Sequence, residues 1–281
     1  MRARLSDIWR LFRDAYQEFN RDAGAVTAGA IAFFATLSLV PIALLATSLL
    51  GHFLGSAEAF SQVERVMQQL LPGVSQEVLG ALRAYSAPSR LLVNVVGTLG
   101  LLWSGTNLFA LLSQILTAIW FDRPPRGFAA QRLAGLLCLL VGGALFFGNI
   151  VLTSFAAALS AQEARFGPLA HYVRPLLGSA SPYLISGALA ALTFFLLYRF
   201  LPAGKVSTRA SLTAALPAAL LWLVSRYLFA LLVAGSSHYG QIYGPLAGAV
   251  VLLLWIYYSA YILIFCAELG VTAQQRYWPK T

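Results

Sequence analysis

Between Arg226 and Glu268 this chain runs for 41 residues without a formal charge, through "YGPLAGAVVLLLWIYYSAYILIFCAEL" at 243–269. A helix needs about 20 mostly apolar residues to cross the hydrocarbon core of a bilayer. Six stretches meet that need, near 24–54, 91–120, 130–158, 181–201, 209–234 and 244–268. Of the 281 residues, 59% are hydrophobic and 10% charged, against about 25% charged in an ordinary soluble domain. A soluble core of this size could not hide so much apolar surface. Open strands are excluded in lipid, because each unsatisfied backbone group there costs several kcal/mol. The expected class is all-α: a single polytopic membrane domain of six transmembrane helices over 1–281.

The net charge of +9 is mainly topological. With the N-terminus in the cytoplasm, thirteen cations fall on inner segments, five on outer segments and one, Arg226, within a span. The positive-inside rule selects this orientation, with both termini cytoplasmic. Nucleic acid is not an expected partner; membrane lipids are, and an oligomer is left open. Cys138 and Cys266 both fall within spans and suit neither a disulfide framework nor a metal site. No cleavable signal is expected, since a charged, helix-patterned segment precedes the first apolar run. That segment, 1–22, spaces Leu5, Ile8, Trp9, Phe12, Tyr16 and Phe19 along one helical face. It suits the inner membrane surface and equally suits packing on the protein's own cytoplasmic side. Residues 56–90 carry two short apolar stripes, expected as amphipathic helices capping the outer face.

Several polar residues inside the spans are substrate-path candidates. The first span is 31 residues long, about 46 Å at 1.5 Å per residue against a core of about 30 Å. Pro41 is expected to bend or break it, with Ser38 satisfying the freed carbonyls; such breaks also serve transport paths in many carriers. Asn107, Gln114 and Thr117 form a polar seam in the second span, and Gly135, Gly142 and Asn149 share a face of the third. Helix packing explains both seams by default; a polar-lined cavity is the alternative. Arg226 is the one cation read as well inside a span, toward the outer leaflet, facing protein or a polar cavity rather than lipid tails. Reaching the outer headgroups, or pairing with an outer-side acid such as Glu58, Glu64 or Glu163, explains it by default; a cavity awaiting an anionic substrate group is the functional reading. Glu268 is expected to close the last span at the cytoplasmic side, neutralised by Arg132, Arg199 or Arg209, and too far from Arg226 to touch it. A cavity holding both Asn107 and Arg226 would favour transport, and tight packing there a scaffold. No Walker loop, HExxH or GxSxG is present. With the histidines scattered, no enzyme activity, cofactor or metal is expected.

The stretches "AIAFFATLSLVP" (30–41), "SGTNLFALLSQILTAIW" (104–120), "YRFLP" (198–202) and the 243–269 segment resemble the YihY/virulence factor BrkB family of bacterial inner-membrane proteins. The resemblance covers nearly the whole chain in order. It implies six membrane helices and an envelope role, moving lipid or another anionic amphiphile or solute. A non-transporting, partner-binding scaffold is the alternative. The ribonuclease BN label once attached to the family finds no clustered His and Asp ligands here. The topology itself is testable. Cysteines placed at Ser56 and Gln162 should react with an impermeant thiol reagent added outside, and one at Gly127 should not; reversed labelling defeats the N-inside arrangement.

Overall fold

The computed structural model describes residues 2–54, 91–121, 129–138, 181–235 and 247–278, with positions 61, 64, 127, 140, 141, 144 and 148 between them. Among the described residues the regular structure is entirely α-helical. Its bounded helices are α1 (Arg2–Arg21), α2 (Gly24–Leu54), α3 (Leu91–Phe121), α4 (Ser181–Phe200), α5 (Thr208–Gly235) and α6 (Ala247–Tyr277), and residues 129–138 form a further helical segment. Three helices are long and apolar enough to cross a membrane: Leu102–Phe121 in α3, Thr208–Leu231 in α5 and Val250–Tyr277 in α6. Six spans were expected; among the described residues these three meet the length and hydropathy required.

The first sharp turn is not at Pro41. Helix α2 passes through Pro41 as one continuous helix, so the expected break is absent. Proline removes a single backbone bond, a loss that does not by itself end a helix. Pro217 is carried inside α5 in the same way. The chain turns instead at Asp22–Ala23, where the axes of Trp9–Arg21 and Gly24–Leu39 meet at 67°. Ala23 adopts a left-handed φ of 50° there, a conformation that costs an L-residue about 1–2 kcal/mol. Phe19 folds over the turn so closely that a Cβ on Gly24 would lie 2.3 Å from its ring. Only glycine fits beneath that ring.

Helix α6 is the centre of the bundle, packed by α1, α2, α3 and α5, and α4 packs along α5. Small residues allow the approach. Ala210, Ala214 and Ala218 recur every four residues on α5 and are fully buried. A Cβ on Gly270 of α6 would meet the Ala214 Cβ at 2.8 Å and the Ala210 carbonyl oxygen at 3.2 Å. Helices pack this closely in membranes when the contact face carries Gly and Ala. The "YRFLP" turn between α4 and α5 is tied to its neighbours by side-chain hydrogen bonds. Tyr198 Oη donates to the Leu263 carbonyl at 2.8 Å and Ser113 Oγ to the Leu201 carbonyl at 2.8 Å. The Ala203 N–H donates to Thr117 Oγ1, also at 2.8 Å. Thr117 and its seam neighbour Ser104, which donates to the Gly100 carbonyl, thus serve the helices themselves.

On the opposite flank the 129–138 segment lies tight against α3. A Cβ on Gly135 would sit 2.8 Å from the Thr106 carbonyl oxygen and 3.4 Å from the Ala110 nitrogen. Gly142 and Asn149 of the same expected face lie outside the described residues, as does the 56–90 cap apart from positions 61 and 64. Because the obstacle at Gly135 is backbone, it cannot swing aside. Gly135→Ala should therefore destabilise the protein by about 1–3 kcal/mol, as overpacking does. The check is a lower Tm in detergent than for Leu140→Ala, whose side chain is exposed.

Candidate functional site

Arg226 projects from α5 beside Trp222, one helical turn earlier, with its guanidinium carbon 5.9 Å from the indole ring centre. That contact is worth about 0.5–2 kcal/mol depending on desolvation. Trp222 is fixed in turn by Trp255 of α6, ring centres 6.0 Å apart. Among the described residues no carboxylate pairs with Arg226. The guanidinium lines a cavity of about 340 Å³ between α2, α3, α4, α5 and α6, walled by side chains such as Ile31, Leu112, Phe194, Ile256 and Leu263. Thr193 and Ser259 also line it, but each hydroxyl donates to a carbonyl of its own helix, Leu189 at 2.8 Å and Trp255 at 2.9 Å. They face the cavity with acceptor lone pairs, and among the described residues Arg226 is its one cation. Of the expected acids, Glu58 and Glu163 lie outside the described residues.

Asn107 and Gln114 are not in that cavity. Helix α3 turns Leu108 and Leu112 toward it, and turns Asn107, Leu111 and Gln114 into a second space of about 200 Å³. Helix α2 divides likewise, with Ile31 and Ala35 on one side and Phe34 on the other. The α2–α3 contact is thus a wall, and no one cavity among the described residues holds both Asn107 and Arg226. The second space is completed by Gln131 and Arg132. Arg132 Nη1 donates to Asn107 Oδ1 at 2.5 Å, and Gln131 Nε2 donates to the Ala110 carbonyl at 2.9 Å.

These bonds correct the placement of Arg132. Sequence distance puts it a few residues past a tight cytoplasmic loop and counts it as a surface cation. In the structure it stands beside Asn107, sixteen residues from one end of α3 and fourteen from the other. Fourteen residues of helix are about 21 Å. Arg226 is therefore not the one deep cation. Positive-inside counting cannot register depth, so the residues it overlooked here are Gln131 and Arg132.

Glu268 and Ser38 also differ from expectation. Helix α6 continues nine residues beyond Glu268 to Tyr277, and α1 folds back against it. Phe19 of α1 stacks on Tyr261 at 4.4 Å, and Arg276 reaches Asp7 at 3.9 Å and Asp14 at 3.8 Å. Glu268 is left 4% exposed, and its Oε1 has no hydrogen-bond partner among the described residues. Among the described residues no cation pairs with it: of the expected arginines, Arg132 donates to Asn107, Arg199 lies over Phe200 and Arg209 is exposed. Ser38 Oγ donates to the Phe34 carbonyl at 2.8 Å, whereas the carbonyl that Pro41 frees is that of Leu37. Ser38 braces its own helix.

A family model described as Virulence factor BrkB matches residues 15–281. The chain belongs to the BrkB family. Among curated BrkB-type relatives, a UPF0761 membrane protein of Aliivibrio salmonicida is 28% identical over 262 residues, covering 93% of this chain and 82% of its own. One from Alteromonas mediterranea is 26% identical over 265 residues, 94% of this chain and 86% of that protein. One from Ralstonia nicotianae is 28% identical over 275 residues, 96% of this chain but 60% of a longer protein. No solved structure matches. The chain is thus a membrane protein of the UPF0761/BrkB family.

The Arg132–Asn107 bond carries a stability expectation. A hydrogen bond to a charged group contributes about 1.5–3 kcal/mol. Asn107→Leu, which removes the acceptor beside a part-buried guanidinium, should lower stability by about that amount in thermal or denaturant unfolding. Gln114→Leu, at an exposed position of the same pocket, should change it by less than about 0.5 kcal/mol.

Proposed function

We propose that this protein binds an anionic amphiphile and moves it, or a related anionic solute, across the bacterial inner membrane. The observation that supports this is the larger cavity: about 340 Å³ of mostly apolar wall with Arg226 as the single cation among the described residues that line it. Ligand sites of about 300–1,000 Å³ are typically apolar with a few placed polar groups. An alkyl chain suits walls of Leu, Ile and Phe, and an acidic headgroup suits a guanidinium that no described carboxylate neutralises. A charge placed among apolar spans is costly and points to function. On this reading the protein is not an enzyme, needs no cofactor, and has membrane lipids as partners, with both termini cytoplasmic. A non-transporting scaffold is the second reading. It draws on α1, which packs on α6 through Phe12 and Phe19 while Trp9 and Tyr16 remain 72% and 52% exposed.

The test is native mass spectrometry of gently extracted protein, looking for a co-purified anionic lipid or solute. Arg226→Ala should reduce the bound fraction about tenfold or more, the equivalent of one charge-assisted hydrogen bond. Arg226→Lys should retain part of it, since charge survives while the bidentate fork is lost. A wild-type spectrum without a bound anionic species, or an Arg226→Ala spectrum that matches it, defeats the reading.

A further inference from the structure

The second cavity raises a question that the first does not answer: why a guanidinium, two carboxamides and a third at its edge converge at mid-height of an apolar helix. Three contacts peg the 129–138 segment to α3 in antiparallel register. Gln131 meets Ala110, Arg132 meets Asn107, and Gly135 closes on Thr106. All three lie on the apolar span Leu102–Phe121. A packing role alone would be met more cheaply by apolar side chains, because a cation at depth costs about 2.5–3.5 kcal/mol on insertion scales. The register instead delivers Arg132 to a concave space of about 200 Å³ that it shares with Asn107, Gln114 and Gln131.

We propose that this pocket is an oxyanion-binding site, separate from the Arg226 cavity, taking a phosphate or carboxylate group. The Asn107 carbonyl accepts from Nη1 and so fixes the plane of a guanidinium whose rigid fork matches such anions in bidentate geometry. Gln131 is 7% exposed and held by the Ala110 carbonyl, which makes the floor rigid. Gln114 is exposed and lines the same space, so the pocket reaches the protein surface there, and its amide adds a donor at the mouth. Phe34 and Leu111 wall the rest. At about 200 Å³ the space is below the usual 300–1,000 Å³ of drug-sized sites. It suits a headgroup or a small free anion rather than a whole lipid. The α2–α3 wall separates it from Arg226, so the inference does not depend on the transport reading.

The experiment is thermal unfolding of the purified full-length protein in detergent. Two probes are titrated: sodium phosphate against sodium chloride at matched ionic strength, and dioctanoyl phosphatidate against dioctanoyl phosphatidylcholine. A ligand that binds only the folded state raises Tm with its concentration. A rise with phosphate identifies a site for free oxyanions; a rise with phosphatidate alone identifies a headgroup site. In either case Arg132→Gln should weaken the apparent affinity about tenfold or more. Gln114→Phe, which keeps the Arg132–Asn107 pair and fills the mouth, should do the same and decides the matter where Arg132→Gln does not fold. Arg226→Gln should leave the response in place. The inference is overturned by a wild-type Tm that neither probe raises beyond its control, or by either folded pocket variant binding as wild type does. A response lost in Arg226→Gln instead belongs to the larger cavity and overturns it as well.

Discussion

The close seating of α6 among its neighbours is the contact on which the rest of this bundle depends. Gly270 admits α5 to within touching distance of the α6 backbone, and the buried Ala210–Ala214–Ala218 row on α5 supplies the matching flat face. In lipid there is little hydrophobic gain in bringing helices together, so close van der Waals contact and interhelical hydrogen bonds must do it. The bonds from Tyr198 to Leu263 and from Ser113 to Leu201 do the second part, pinning the α4–α5 turn to α6 and α3. With α6 fixed at the centre, its flanks determine where cavities can open.

Both cavities arise where that close packing lapses. The larger lies between α2, α3, α4, α5 and α6, beside the Trp222–Trp255 contact, with Arg226 over Trp222. The smaller lies on the other flank of α3, between α2 and the 129–138 segment. One helix therefore separates an apolar space with one cation from a polar space with another. The end of the bundle where α1 returns is organised differently. There α1 folds against α6 through Phe12, Phe19 and the Arg276 ion pairs. Those pairs are partly exposed and contribute at most about 1 kcal/mol. Aromatic contact, not charge, holds the strap.

How much of this could be read from residue order varies by element. The amphipathic face of α1 was legible because 3.6-residue periodicity survives in sequence, and the buried Phe19 lies on the face it marked. The close helix contact at Gly135 was legible for a similar reason. At Pro41 the helix is not interrupted: proline reports a lost bond, and α2 runs on through it. The real turn, at Ala23, carries no strong sequence signal, because alanine is a helix former and its left-handed φ is imposed by Phe19 closing over Gly24. Glu268 misled because a carboxylate at the end of an apolar run looks like a boundary. Nothing local announces that α6 continues or that α1 returns to cover it.

By itself the sequence determined the solvent and the class of backbone. Long uncharged runs demand lipid, and lipid demands helices that satisfy their own hydrogen bonds. It also determined the family, through stretches spread along nearly the whole chain. Only the tertiary structure decided which polar residues share a space. Asn107 joins Arg132 and not Arg226, because the α2–α3 contact runs between the two cations and because 129–138 meets α3 midway along its length. Helical periodicity fixes the face on which a residue stands. The depth of that face and the helix opposite it depend on packing between segments far apart in the chain, and no local pattern encodes them.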